Sequence, residues 1–202
     1  MVKVWYMDKE DNDQRLEHHI KPPHYISLEE LYKKTGVEYF FINSKNYEED
    51  ELLSTIRKRR NYTFEDEPFY KQAIFPIRAL ISKKEHLSQQ VPNIQSTYIF
   101  ILLPNSPKKK RIIKYGDLHV PRFDGGSDNW IRIAVETGDL IIIPAGIYHR
   151  FTLDTQNYIR AKRYFIGEPI WHPYNRPAEH MECRQKYLLN QNKGFPLANK
   201  DD

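Results

Sequence analysis

GDLIIIPAGIYHRFTLD, residues 138–154, is the stretch whose reading decides the fold. A Gly-Asp turn opens onto the apolar run Leu140-Ile141-Ile142-Ile143, and Pro144-Ala145-Gly146 then bends the chain. A second extended run, Ile147 to Leu153, carries His149. Two β-branched, apolar stretches about a Pro/Gly bend read as part of an antiparallel sheet. Side chains two residues apart on a strand point the same way, so Ile147, His149 and Phe151 share one face. On the apolar inner face of a barrel, His149 is a candidate metal ligand, because neutral imidazole is the commonest one. The other reading is a core histidine satisfied by one hydrogen bond.

Working outward, Trp130 to Val135, Leu140 to Ile143, Tyr148 to Leu153 and Ile159 to Phe165 read as four strands of one barrel. Val2 to Tyr6 and Val37 to Ile42 add strands near the amino terminus, and Ile99 to Leu103 reads as a strand or buried segment. Ser27 is a good N-cap for a helix through Leu28, Leu31 and Tyr32, with Glu30 at the third position of a capping box. Gly36 stops that helix, and Glu48 to Arg60 reads as a charged one. Short strands between regular turn signals predict an all-β dominated chain, a double-sheet jelly roll with a few helices outside.

Composition bounds what such a chain does. Its 202 residues suit one domain with a substantial core, and 13% aromatic with 40% hydrophobic residues argue for a folded protein. A net charge of +4, from 31 Lys+Arg against 27 Asp+Glu, is too small an excess to imply nucleic acid. Arg57 to Arg60 ends a predicted helix, where cations suit the dipole, and Lys108 to Arg111 reads as a solvated loop. Cys183 is the only cysteine, which makes a reducing compartment natural. MVKVWYMDKEDNDQ lacks the apolar core of a signal peptide, and Thr97 to Leu103 is far shorter than the ~20 residues of a membrane span. The expectation is a cytoplasmic monomer, with the nucleus as a second compartment, bound to neither membrane nor nucleic acid.

WIRIAVETGDLIIIPAGIYHRFTLD and NYIRAKRYFIGEPIWHPYNRPAEH, within residues 130–180, closely resemble the acireductone dioxygenases of the cupin superfamily. So do MVKVWYMD, SLEELYKKTGVEYFFIN and IRKRRNYTFED near the amino terminus. The resemblance covers residues 1–67 and 128–189 and implies a single cupin barrel with a few peripheral helices. It also implies a substrate and a metal. Members of this family use O2 to open 1,2-dihydroxy-3-keto-5-methylthiopentene, an acireductone of the methionine salvage pathway. With Fe(2+) the products are a 2-keto acid and formate; with nickel or cobalt they are a shorter acid, formate and carbon monoxide.

The middle of the chain departs from that pattern. The family site uses two histidines spaced i, i+2, a glutamate four residues after the second, and a distant fourth histidine. His149, in an intact Ile-Tyr-His-Arg-Phe motif, matches the fourth, and the other three are not found. In Glu85-His86-Leu87-Ser88, His86 stands at the first histidine's place, but Ser88 replaces the second and Pro92 the glutamate. Counting back from Trp130 instead puts Lys110 near the glutamate position. Residues 67–126 as a whole resemble no part of the family and are expected to be the least regular part of a single domain spanning 1–202. Residues 190–202 are expected to form a flexible tail. An intact pair of flanks around an unrelated middle suggests substitution in a block, by an alternative exon, retained intron or shifted frame, or by loss of the site in a paralogue.

Three functions follow. The chain is a dioxygenase homologue inactive as written, or an active enzyme using Fe(2+) or Ni(2+) through His149 and unplaced ligands, or a non-catalytic cupin that binds a small ligand or partner. Ile133, Phe151 and Phe165 fall at inward positions and would line an apolar pocket suited to a thioether tail, or are ordinary core. Arg150 should point away from His149, and Arg163 lines the pocket or a salt bridge. Asp117-x-His119 offers an i, i+2 metal-capable pair without a third partner.

Overall fold

The computed structural model describes residues 2–9, 13, 15–66, 69–70, 86–87, 98–102, 116–120, 129–151, 159–168 and 176–195. In chain order its elements are β1 (Lys3–Tyr6), α1 (Leu28–Thr35), β2 (Glu38–Phe41), a 3-10 turn (Tyr47–Glu49), α2 (Glu51–Arg59), β3 (Phe64–Asp66) and β4 (Phe69–Tyr70). There follow β5 (His86–Leu87), β6 (Tyr98–Leu102), β7 (Gly116–Val120), β8 (Asn129–Ala134), β9 (Asp139–Ile143), β10 (Tyr148–Phe151), β11 (Ile159–Phe165) and α3 (Glu182–Lys193).

The strands form two antiparallel sheets, one in the order β1-β8-β7-β10-β5 and one in the order β2-β9-β6-β11-β3 with β4 beside β11. Consecutive strands from β8 to β11 alternate between them. The sheet read on both sides of Pro144-Ala145-Gly146 is therefore corrected: β9 and β10 belong to different sheets, and the bend carries the chain from one to the other. Among the described residues the two sheets share no strand, so the single closed barrel appears as two facing layers.

The core explains the sequence of each layer. Val4, Ile131, Ile133 and Ile147 meet Ile141 and Ala161, together with Leu31 of α1 and Tyr187 of α3. On the far side of the second sheet Leu140, Ile142 and Tyr164 pack on Leu53 and Ile56 of α2. Both faces of β9 are thus covered, which is why Leu140 to Ile143 is a continuous apolar run rather than an alternation. Each such buried aliphatic side chain contributes roughly 1.5–3 kcal/mol. The outer side of the first sheet is covered by the chain around residues 16–25. There Trp5 Nε1 donates to the Glu17 carbonyl (3.0 Å), and buried Arg132 donates to the Leu16 carbonyl.

Local signals set the helices. The Ser27 hydroxyl accepts from Glu30 N at 3.0 Å and Gly36 closes α1 at φ 69°. The Asp50 carboxylate caps α2 through Leu53 N. The Arg57–Arg60 cluster at its end is tied into the fold by Arg57–Glu65 (3.2 Å) and Arg60–Glu38 (2.8 Å).

Within residues 67–126 the described residues are β4, β5, β6 and β7, of which β6 bonds to both β9 and β11 and β7 to both β8 and β10; the rest of that segment lies outside the described residues. Residues 190–195, expected to belong to a tail, are ordered in the fold, and residues 196–202 lie outside the described residues. Helix α3 runs to Lys193, and Phe195 packs near Tyr187 (5.6 Å between rings) and Tyr32 (6.3 Å).

Asp139 opens β9 almost fully buried, accepting from Tyr39 Oη (2.7 Å) and Glu136 N (2.6 Å). Burial raises its carboxyl pKa, and the two hydrogen bonds oppose that shift. The folded state therefore keeps this proton to higher pH than the unfolded chain does. The stabilisation is full below the unfolded value of about 4 and is lost as pH rises through the raised one. Asp139→Asn should flatten the fall in urea midpoint with pH across that window; an unchanged slope would assign the effect elsewhere.

Candidate metal centre

His149 owes its position to the first sheet's register. In β10 it pairs with Leu118 on one side and His86 on the other, and Leu118 pairs in turn with Ile131, which pairs with Tyr6. Directly opposed residues of antiparallel strands share a face. Ile131 is fully buried in the core between the layers, so that row places His149 on the core side, where it is half-buried. Its Nδ1 lies 3.4 Å from the Ile147 carbonyl, long for a hydrogen bond. A proton on Nδ1 would leave Nε2 as the ring's lone-pair donor.

The opposite side of the same strand is braced by α3. Tyr148 is fully buried there against Ala178, its hydroxyl accepting from Ala178 N (2.7 Å) and donating to Glu179 (3.2 Å). Buried Arg184 donates to the Gly146 carbonyl (3.0 Å), and its guanidinium lies over the Tyr148 ring at 4.4 Å and the Tyr187 ring at 5.4 Å. Sequence reasoning missed this brace. A single arginine in the polar run ECRQKYLLNQNK carries no signal of burial.

The other candidates are distributed as follows. Ile133 is buried, paired with Val4 and Gly116. Phe165 is buried on β11, 6.3 Å from the Phe64 ring, with the Arg163 guanidinium 5.6 Å from its own ring. For His86 and Phe151 the backbone position is described, and the readings of their side chains lie outside the described residues, as does that of Arg150. Asp117 pairs with Arg132 and His119 with Trp130, so the i, i+2 pair occupies rows between that of His149 and the sheet's other positions. Ser88, Pro92 and Lys108 to Arg111 fall outside the described residues. Among the described residues no three His, Cys, Asp or Glu side chains gather to hold a metal ion.

The ARD/ARD' family model matches residues 106–173. An acireductone dioxygenase of Drosophila melanogaster is 45% identical over 99% of this chain and all of its own. The chain belongs to the acireductone dioxygenase family. Acireductone dioxygenase 1 of Vitis vinifera is 38% identical over 96% of each chain. Among solved structures, the acireductone dioxygenase from Bacillus anthracis, with a cadmium ion in its active centre, is similar in fold at a TM-score of 0.54. That likeness covers 86% of this chain and 98% of the other at 18% identity. Membership places the chain among the oxidoreductases of methionine salvage. The family match also begins inside residues 67–126, which corrects the reading of that whole segment as foreign: from Ser106 onward it has family counterparts. The Glu85 to Pro92 stretch lies before that point.

Proposed function

We propose that this chain is an acireductone dioxygenase homologue, one cupin-barrel domain across residues 1–202, that keeps the family's shape and substrate side but is inactive as written. The single observation that carries this reading is the donor set around His149. Its register partners are Leu118 and His86, and two residues beyond His86, where the second histidine of an i, i+2 pair belongs, stands Ser88. An O2-activating iron centre needs a facial set of three anchored ligands with open positions. One or two imidazoles do not meet that need. Among the described residues the donor set therefore does not fit the family's Fe(2+) or Ni(2+).

The substrate would be the small acireductone itself, its thioether end against Ile133, Phe151 and Phe165. Arg163, whose guanidinium lies 5.6 Å from the Phe165 ring, would face the enediol's negative charge. The chain is taken as a monomer of the cytoplasm and nucleus, without nucleic acid. Among the described residues no helix is long and apolar enough to cross a membrane.

One observation favours the second reading, an active enzyme with its ligand set completed elsewhere in the chain. His86 stands directly opposite His149, so two of the family's four ligand positions fall side by side. Oxygen uptake separates the two. Fresh acireductone with Fe(2+)- or Ni(2+)-supplemented protein should consume O2 at the rate of the protein-free solution and of His149→Ala. Consumption that depends on His149 would establish the active enzyme.

A further inference from the structure

Lys21-Pro22-Pro23-His24-Tyr25 lies well away from His149, and all five residues are exposed, Tyr25 to 53%. The segment lies at the outer margin of β1, the edge strand of the first sheet, and bends at Lys21 and Pro22 before His24 and Tyr25 meet that strand. It is pinned on that side by Tyr6 N to the His24 carbonyl (3.0 Å), by Ile26 N to the Val4 carbonyl (3.0 Å) and by the bridge between Trp5 and Tyr25. Beneath it the Tyr25 ring leans edge-on toward buried Trp5 at 6.1 Å and toward His19 at 5.6 Å. The segment lies one strand spacing outside β1 and so four spacings of ~4.8 Å from β10, roughly 19 Å from the histidine.

An exposed strand margin usually offers a row of N–H groups on which another strand can pair. This margin offers two proline rings in succession, and proline has no N–H to give. What it presents is ring surface followed, with one residue between, by a half-exposed tyrosine. We infer that Pro22-Pro23-His24-Tyr25 is a docking segment for a WW domain, the class of small β-domain whose aromatic groove grips successive prolines in an extended chain and takes the tyrosine in a neighbouring pocket. The backbone bonds to β1 support the assignment physically. They anchor His24 and Tyr25 before a partner arrives, with Pro22 and Pro23 standing between the Met7–His19 and Trp5–Tyr25 bridges, so part of the ordering cost that a free peptide of this sequence would meet on binding is already met. A single short anchor of this kind suits a reversible partner, one that leaves the pocket at the other side of the sheet untouched.

The test is fluorescence anisotropy of a labelled WW domain of the Pro-Pro-x-Tyr-reading class, titrated with the intact protein. An SH3 domain, which reads Pro-x-x-Pro, serves as the control. Saturable binding by the WW domain is expected, weakened about tenfold or more by Tyr25→Ala. Because Tyr25 leans on Trp5, Pro22→Ala is the companion variant, with circular dichroism showing that each stays folded; it should weaken binding comparably. No saturation with the intact protein, equal binding by both variants, or binding by the SH3 domain alone would each overturn the inference.

Discussion

Gly146→Ala should be among the most damaging single substitutions in this chain, costing more than about 4 kcal/mol. Two effects add. Gly146 has φ +85°, a conformation that costs an L side chain ~1–3 kcal/mol. A Cβ there would also lie 2.2 Å from the Cys183 carbonyl oxygen and 2.9 Å from Tyr187 Cβ, so α3 would have to back away from the turn. That displacement breaks the Arg184 to Gly146 hydrogen bond and leaves a buried guanidinium short of a partner. Against a total stability of about 5–15 kcal/mol, the variant should be largely unfolded or insoluble. Gly167→Ala is the control, since its φ is +72° but nothing lies within 4 Å of the added carbon. Urea melts should show only the conformational penalty for Gly167→Ala. Equal losses at the two sites would mean that the turn and α3 are not in the contact described.

The contrast between what could and could not be read from the chain follows the range of the interactions. Helix α1 was legible because its signals are local: Ser27, Glu30 and Gly36 act within one turn of where they stand. The strands from β8 to β11 were legible from alternation and apolar runs. Their division between two sheets was not, because a Pro/Gly bend looks alike whether it closes a hairpin or carries the chain across to another layer. Helix α3 was missed for a related reason. Met181 offers it no capping side chain, and its buried positions are taken by Arg184 and Tyr187, so no apolar stripe marks it. In the site, His149 announced itself through its motif. Its pairing with His86 depends on a strand register 63 positions away in sequence, which no local pattern encodes.

The same register sharpens the second large effect, the loss of metal affinity. Metals of the middle of the divalent series are held against water and cellular chelators by the number and charge of their anchored ligands. On the proposed reading a carboxylate and an imidazole are gone from the four-ligand set, which takes away the negative charge and leaves the His86 and His149 rings, both neutral donors. Ligands two residues apart on one strand arrive as a pair on one face, and Ser88 is a poor substitute for the second of them. Lost affinity of several orders of magnitude is the expected consequence, since even outer partners of metal ligands are worth about 10–100-fold each.

Elemental analysis is the most direct measurement of this claim. The purified chain is loaded anaerobically with Fe(2+), or separately with Ni(2+), passed through a desalting column, and its metal content compared with that of His149→Ala treated identically. The account predicts far less than one metal per chain, with no difference between the two proteins. Near-equimolar metal that disappears in His149→Ala would contradict it, and would show that the chain completes the family's site with ligands other than the expected histidine and glutamate.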